Sequence, residues 1–173
     1  MQKLINKPIK KKKYRWLLEL FFFVVLFMTI RAWQQKDLVT GVAPNFHGEM
    51  LTGENINLTD YHGEPFIIHF WAKWCHFCRM EENSLSNIKQ DWPFLSIAYQ
   101  SGSQENVSNY MKERNIENWP TIIDNDNKIA DLFSVNSVPT TYIIDANGNI
   151  RFAEVGLTSS WGIKARLWWA THF

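Results

Sequence analysis

Residues 65–72 read PFIIHFWA, and Cys75-His76-Phe77-Cys78 follows three residues later. A short apolar run dense in β-branched and aromatic residues fits a strand buried on both faces. Two cysteines opening a helix directly behind such a strand are a chemical arrangement. Cys75 falls at the helix N-terminus, where unpaired N–H groups and the macrodipole favour a thiolate. Cys78 lies one turn in, with its sulfur close enough to close a disulfide on the first. The expectation is an exposed nucleophile at Cys75 and a buried resolving thiol at Cys78. The chain has only these 2 cysteines. A pair so close in sequence closes almost no loop and stabilises little, so its purpose is chemical.

The rest of the chain alternates between strand and helix patterns, which predicts an α/β fold. Residues 44–60 read as a small hairpin turning at Thr52-Gly53-Glu54-Asn55. Residues 76–91 form a helix that Pro93 stops, residues 94–99 (FLSIAY) a strand, and residues 104–114 a second helix with Val107, Tyr110 and Met111 on one face. Residues 121–124 and 140–145 are further strands. Asn147-Gly148 marks a hairpin into residues 150–155, and an amphipathic helix closes the chain over about residues 159–170.

The N-terminus is of another kind. Residues 17–30 read LLELFFFVVLFMTI between Trp16 and Trp33, with Lys3, Lys7, Lys10, Lys11, Lys12, Lys13 and Arg15 crowded before them. With its bordering aromatics the run approaches the roughly 17–20 residues of a spanning helix. The lysine block puts the N-terminus in the cytoplasm, and the two tryptophans suit the two interfaces. A cleavable signal peptide would need a small-x-small site, and Thr29, Arg31 and Trp33 do not supply one. Glu19 sits near the cytoplasmic end, one turn from Arg15. The division expected is a cytoplasmic basic tail (1–15), a transmembrane anchor (16–33), a linker (34–43) and one domain (44–173). The net charge of +1 joins a basic tail to a mildly acidic domain and does not imply nucleic-acid binding.

Paired thiolates also suit zinc and copper(I). Structural zinc would need two more ligands, and His47, His62, His69 and His172 are scattered without ligand spacing, so no metal site is expected. His76, inside the motif, either stabilises the Cys75 thiolate when protonated or is an exposed imidazole.

FWAKWCHFCRME resembles the active-site segment of the thioredoxin superfamily, whose usual form is FWAxWCxxC. The apolar N-terminal segment, APNF before a hairpin, and Glu81 three residues beyond Cys78 resemble the membrane-tethered TlpA/ResA/CcmG branch. Within it, the chain is most similar to the disulfide oxidoreductases grouped with suppressor-of-copper-sensitivity protein D. The resemblance covers about residues 42–170. It implies a thioredoxin-like fold: a central mixed sheet flanked by helices, with an N-terminal hairpin and an extra strand–helix insertion, preceded here by one transmembrane helix. It also implies a cis-proline facing the disulfide. Trp119-Pro120-Thr121 and Val138-Pro139-Thr140 both precede a strand ending in Asp. Pro139 is the choice, because the last strand, the Asn-Gly hairpin and the final helix follow it in the family order. Beside Cys75 it would let the Val138 backbone pair with an extended substrate.

Two positions remain open on this reading. His69 stands where thioredoxin has a buried Asp and many tethered relatives have Asn; it is either a general base for Cys78 or a hydrogen-bonded core residue. Glu81 matches an acidic residue that tunes or deprotonates the cysteines in the tethered branch, against the alternative of a solvated helix charge. Trp74 and Phe77 shape the rim, and Trp71 either joins them or lies in the core.

The function implied is a membrane-anchored periplasmic oxidoreductase that exchanges disulfides with protein substrates through Cys75 and Cys78. It needs no cofactor and a membrane redox partner, in the inner membrane of a bacterium. Resemblance to reductive cytochrome-maturation proteins favours the reductase direction; His76 argues for oxidation. The alternative is a copper(I)-binding or sequestering protein using the same thiols, with Met80 as the one further soft ligand nearby.

Overall fold

The computed structural model describes residues 10–172, so the basic tail before Lys10 lies outside the described residues. The chain divides into two compact units, Met1–Lys36 and Asp37–Phe173. The first holds one helix, α1 (Lys10–Gln35). Its segment Tyr14–Gln35 is 22 residues long, none of it buried, and apolar enough to cross a membrane by length and composition. Arg15 and Glu19 pair across one turn at 3.4 Å, which offsets the one acidic charge in the run.

The second unit is built on a six-stranded mixed sheet. In chain order its elements are β1 (Gly41–Val42), β2 (His47–Glu49), β3 (Asn55–Asn57), a 3₁₀ turn (Leu58–Tyr61), β4 (Phe66–Trp71) and α2 (His76–Ile88). They continue with β5 (Phe94–Tyr99), α3 (Gln104–Glu113), β6 (Thr121–Asp124), α4 (Lys128–Leu132), β7 (Thr140–Ile144), β8 (Asn149–Val155) and α5 (Ser160–His172). The strand order is β1-β8-β7-β4-β5-β6. β4, β5 and β6 run parallel, while β7, β8 and β1 are antiparallel to their neighbours. This is the thioredoxin-like α/β fold, and α3, β6 and α4 fill the stretch where the resemblance implies an additional strand and helix.

All six residues of β4 are buried, and the strand's two-residue period sorts them into two cores. Phe66, Ile68 and Phe70 join a cluster with Phe46, Leu95, Ile97, Phe133 and Tyr142 under the β2–β3 hairpin and α4. Ile67 and Trp71 face the other way, onto Leu85 and Ile88 of α2, Val107 and Met111 of α3, and Ile163 and Leu167 of α5. The first core centres on Phe133, whose ring meets those of Phe46, Phe70 and Tyr142 at 6.0, 5.6 and 5.1 Å.

Several boundaries differ from the sequence reading, each for a local reason. β4 stops at Trp71, because the chain turns there and the Cys75 N–H donates to the Ala72 carbonyl at 3.0 Å. α2 ends at Ile88, where the N–H groups of Asp91 and Trp92 both fold back onto the Ile88 carbonyl. Within the stretch read as a linker, Leu38 and Ala43 are buried in the first core, and Gly41–Val42 pairs with β8. α4 escapes the sequence pattern because it is five residues long and opens on a left-handed Asn127, φ 63°. Its free N–H groups are capped from a distance, Ile129 and Ala130 donating to the Asp124 carboxylate at 3.2 and 2.8 Å.

Truncating the ring that organises the first core tests this account. Phe133→Ala is expected to destabilise the folded chain by about 3–5 kcal/mol, read as a lower urea midpoint with little change in slope.

Candidate active site

Three loops at the carboxyl ends of the parallel strands meet at the start of α2. The turn after β4 is fixed to the loop after β5: the Lys73 N–H donates to Ser101 Oγ at 3.1 Å, and Trp74 Nε1 donates to the Gln100 carbonyl at 3.1 Å. That loop is fixed in turn to the one after β6. Gly102 N–H donates to Asn125 Oδ1 (3.0 Å), Asn125 Nδ2 returns a bond to the Gly102 carbonyl (2.8 Å), and Gln100 Nε2 donates to Asn127 Oδ1 (2.8 Å). Gly102 sits at φ 87°, a conformation glycine adopts without steric cost.

On this base Cys75 caps α2. Its backbone is extended (φ −81°, ψ 109°), and its Sγ accepts the Cys78 N–H at 3.1 Å. The two cysteines are disulfide-bonded, their Cα atoms 5.4 Å apart. The expectation of an exposed Cys75 beside a buried Cys78 is not met in this disulfide state: they are 5% and 3% exposed. The Cys75 sulfur turns in over the first turn of the helix, against the Val138 carbonyl oxygen at 3.6 Å, and both cysteines belong to the second core. The Val138-Pro139 peptide bond is cis, and among the described residues no other is; Pro120 is thus the ordinary trans proline.

Around the disulfide, Trp74, Phe77 and Met80 are exposed. His76 is exposed as well, its ring 6.1 Å from that of Phe77. Trp71 belongs to the core: it is buried and stacked on Tyr110 at 5.4 Å.

The two candidate proton carriers occupy different surroundings. His69 is buried in the middle of β4. Its Nδ1 shares a hydrogen bond with Thr141 Oγ1 at 3.0 Å, its ring lies beside Phe94 and Trp119, and its Nε2 meets no partner. Burial lowers its pKa to about 3, so it is neutral across the physiological range. Glu81 is buried one turn beyond Cys78, on the same side of α2. Its Oε1 accepts the backbone N–H of Thr158, in the loop before α5, and its Oε2 has no partner. Burial raises its pKa from 4.5 to about 7, against the lowering effect of the Thr158 bond. A carboxyl that titrates near neutrality beside a thiol is matched to proton transfer.

Sequence reasoning missed the next residue, Glu82, which is buried too but fully engaged. Its carboxylate accepts from Tyr110 Oη and Arg114 Nε, both at 2.7 Å. Arg79 lies over the Tyr110 ring at 5.8 Å and donates to the Lys73 carbonyl. No local sequence signal marks Glu82, because its partners Tyr110 and Arg114 lie on and just after α3. Among the described residues no three His, Cys, Asp or Glu side chains converge as a metal site would require.

A CxxC disulfide capping a helix beside a cis-proline, on a thioredoxin-like sheet, defines a thiol–disulfide oxidoreductase. The chain belongs to the AhpC/TSA family, whose model matches residues 39–153, and within it to the TlpA/ResA/CcmG-like branch. The thiol-disulfide oxidoreductase ResA of Geobacillus thermodenitrificans is 30% identical over 132 residues, 75% of this chain and 76% of that protein. A thioredoxin-like protein of Haemophilus influenzae is 26% identical over 158 residues, covering 90% of this chain and 93% of its own. Among solved structures, a thioredoxin-family thiol:disulfide interchange protein from Chlorobium tepidum superposes with a TM-score of 0.67 at 26% identity, covering 78% of this chain and 99% of that one. The protein is accordingly a thioredoxin-like protein disulfide oxidoreductase, and its substrates are protein thiols and disulfides.

The raised pKa of Glu81 has a consequence for stability. Between about 4.5 and about 7 the folded chain holds a proton there that the unfolded chain has lost. Its contribution therefore favours folding most below this window and declines as pH rises through it. Glu81→Gln is expected to remove that decline. The stability difference between variant and parent should shift by about 2–3 kcal/mol between pH 4.5 and 8, measured by urea denaturation of the disulfide form at both pH values.

Proposed function

We propose that the protein is anchored in a bacterial cytoplasmic membrane by residues 16–33, with residues 1–15 in the cytoplasm and the unit Asp37–Phe173 as the catalytic domain on the periplasmic side. There it reduces disulfides in protein substrates. The observation that carries this reading is the disulfide closed across the first turn of α2 with a buried carboxyl one turn further on.

In the reduced state the Cys75 thiolate, favoured by the helix N-terminus, attacks one sulfur of a substrate disulfide and expels the other as a thiolate, which takes a proton from water. A mixed disulfide joins Cys75 to the substrate. Glu81 takes the proton of Cys78, whose thiolate then attacks Cys75 Sγ. The substrate leaves with both its sulfurs reduced, and Cys75–Cys78 is oxidised to the form described above. Val138 and cis-Pro139 border Cys75 and give an extended substrate segment a backbone to pair with; Trp74, Phe77 and His76 form the rim that it crosses. His69, neutral and bonded to Thr141, supports β4 beneath the motif rather than carrying the proton.

One feature supports the reductive direction. An ionised Glu81 one turn from Cys78 disfavours a thiolate there and so weakens the reduced pair, while the Arg79 guanidinium of the same turn is engaged with the Lys73 carbonyl and the Tyr110 ring. A weakly held dithiol gives up its electrons readily, and a donor in the membrane must restore them in a compartment that oxidises thiols.

Equilibrating the full chain with glutathione, followed by tryptophan fluorescence, tests the direction. A potential near thioredoxin's, about −270 mV, is expected, whereas one near the strong oxidants at about −120 mV would overturn the reductase reading. Cys75→Ser should abolish disulfide exchange, and Cys78→Ser should accumulate a mixed disulfide with substrate. Glu81→Gln should slow reduction roughly 100-fold with substrate binding retained, in single-turnover measurements at neutral pH.

A further inference from the structure

The last helix carries apolar residues on both of its sides. Ile163, Leu167 and Ala170 face the second core, yet Trp161, Trp168 and Trp169 are 86%, 56% and 49% exposed. Trp161, Trp168 and His172 recur at helical spacing on one outward stripe, and the Trp168 and His172 rings lie 4.6 Å apart. Outside the rim of the active site, no other element of the catalytic unit presents so much exposed aromatic surface among the described residues. A helix with a buried apolar side and large aromatic rings on its outward side has a second apolar or amphipathic surface to meet.

The geometry points to α5 as a surface that lies on the phospholipid bilayer. At roughly 150–250 Å² per tryptophan, the three rings expose about 300–500 Å², short of the ~800 Å² per partner that a stable protein interface buries. A bilayer needs no such minimum area. Tryptophan, with an apolar body and one N–H, is the side chain that membrane–water interfaces take. The charges agree: α5 contains Lys164, Arg166 and His172 and no acidic residue. Its nearest counter-charges are Asp91, 3.7 Å from Lys164, and Glu154, 2.8 Å from Arg166. Both partners of the Lys164 pair are about half-exposed, so that lysine is available to anionic headgroups at little cost. Thr158, two residues before α5, holds Glu81, so a bilayer-docked α5 keeps the CxxC at the membrane surface, where a membrane-embedded dithiol donor can reach it.

This inference rests on the anchored reading, and one experiment separates the two. The full chain is labelled with 5-fluorotryptophan in nanodiscs of phosphatidylcholine and phosphatidylglycerol containing a headgroup nitroxide lipid. Trp16→Phe, Trp33→Phe, Trp161→Phe, Trp168→Phe and Trp169→Phe assign the five resonances, and the same discs without the nitroxide lipid provide the unbroadened reference. Loss of the three α5 signals, smaller when phosphatidylglycerol is omitted, is expected. If they stay sharp while Trp16 and Trp33 broaden, the docking is overturned and the anchor stands. If all five stay sharp and alkaline washing releases the chain from vesicles, both readings fall. Signals that stay sharp until a second protein is added would overturn lipid docking in favour of a protein partner.

Discussion

The burial of β4 on both faces is the constraint from which the rest of the catalytic unit follows. Six consecutive buried residues need a core on each side, which calls for cover on both faces of the sheet and places this strand at its centre. Its neighbours β5 and β7 are fixed by register, Ile68 opposite both Leu95 and Tyr142. Once the strand is held from four directions, its carboxyl end is fixed in space. The turn at residues 72–75 and the first turn of α2 inherit that precision. Cys75 is thus placed by the packing of residues that never touch a substrate.

The same helix shows two ways of burying a carboxylate. Glu82 loses its hydration but regains it from Tyr110 and Arg114, which together supply charge-assisted hydrogen bonds. Glu81, one residue earlier, has a single backbone donor and an oxygen with none. An incompletely compensated buried charge is destabilising, and the raised pKa is its signature. The contrast explains why one acid is structural and its neighbour is suited to moving a proton.

Most of this was legible in the sequence where local chemistry and tertiary structure agree. The apolar run of β4, the Asn147-Gly148 turn and the spacing of α2 each carry their own periodicity or turn signal, and the family order singled out Pro139 over Pro120. What escaped depends on partners remote in sequence. α4 is capped by Asp124 rather than by a residue of its own first turn, and β1 is two residues long. Glu82 is paired with α3, more than 25 positions on. Whether His69 or Glu81 is the better proton carrier could not be read from the sequence, because it turns on both being buried, which lowers the histidine and raises the carboxyl. The sulfur of Cys75 turns inward for the same reason: the Val138 carbonyl and the second core that receive it come from elsewhere in the chain.

The bonds that join the loops after β4, β5 and β6 have an effect on binding. With Trp74 held by Gln100 and Gln100 by Asn127, the rim has little freedom left to lose on binding. The entropic cost of forming a complex then falls on the substrate, whose own segment must straighten and be immobilised. A rim braced in this way leaves the conformational adjustment to its binding partner rather than sharing it.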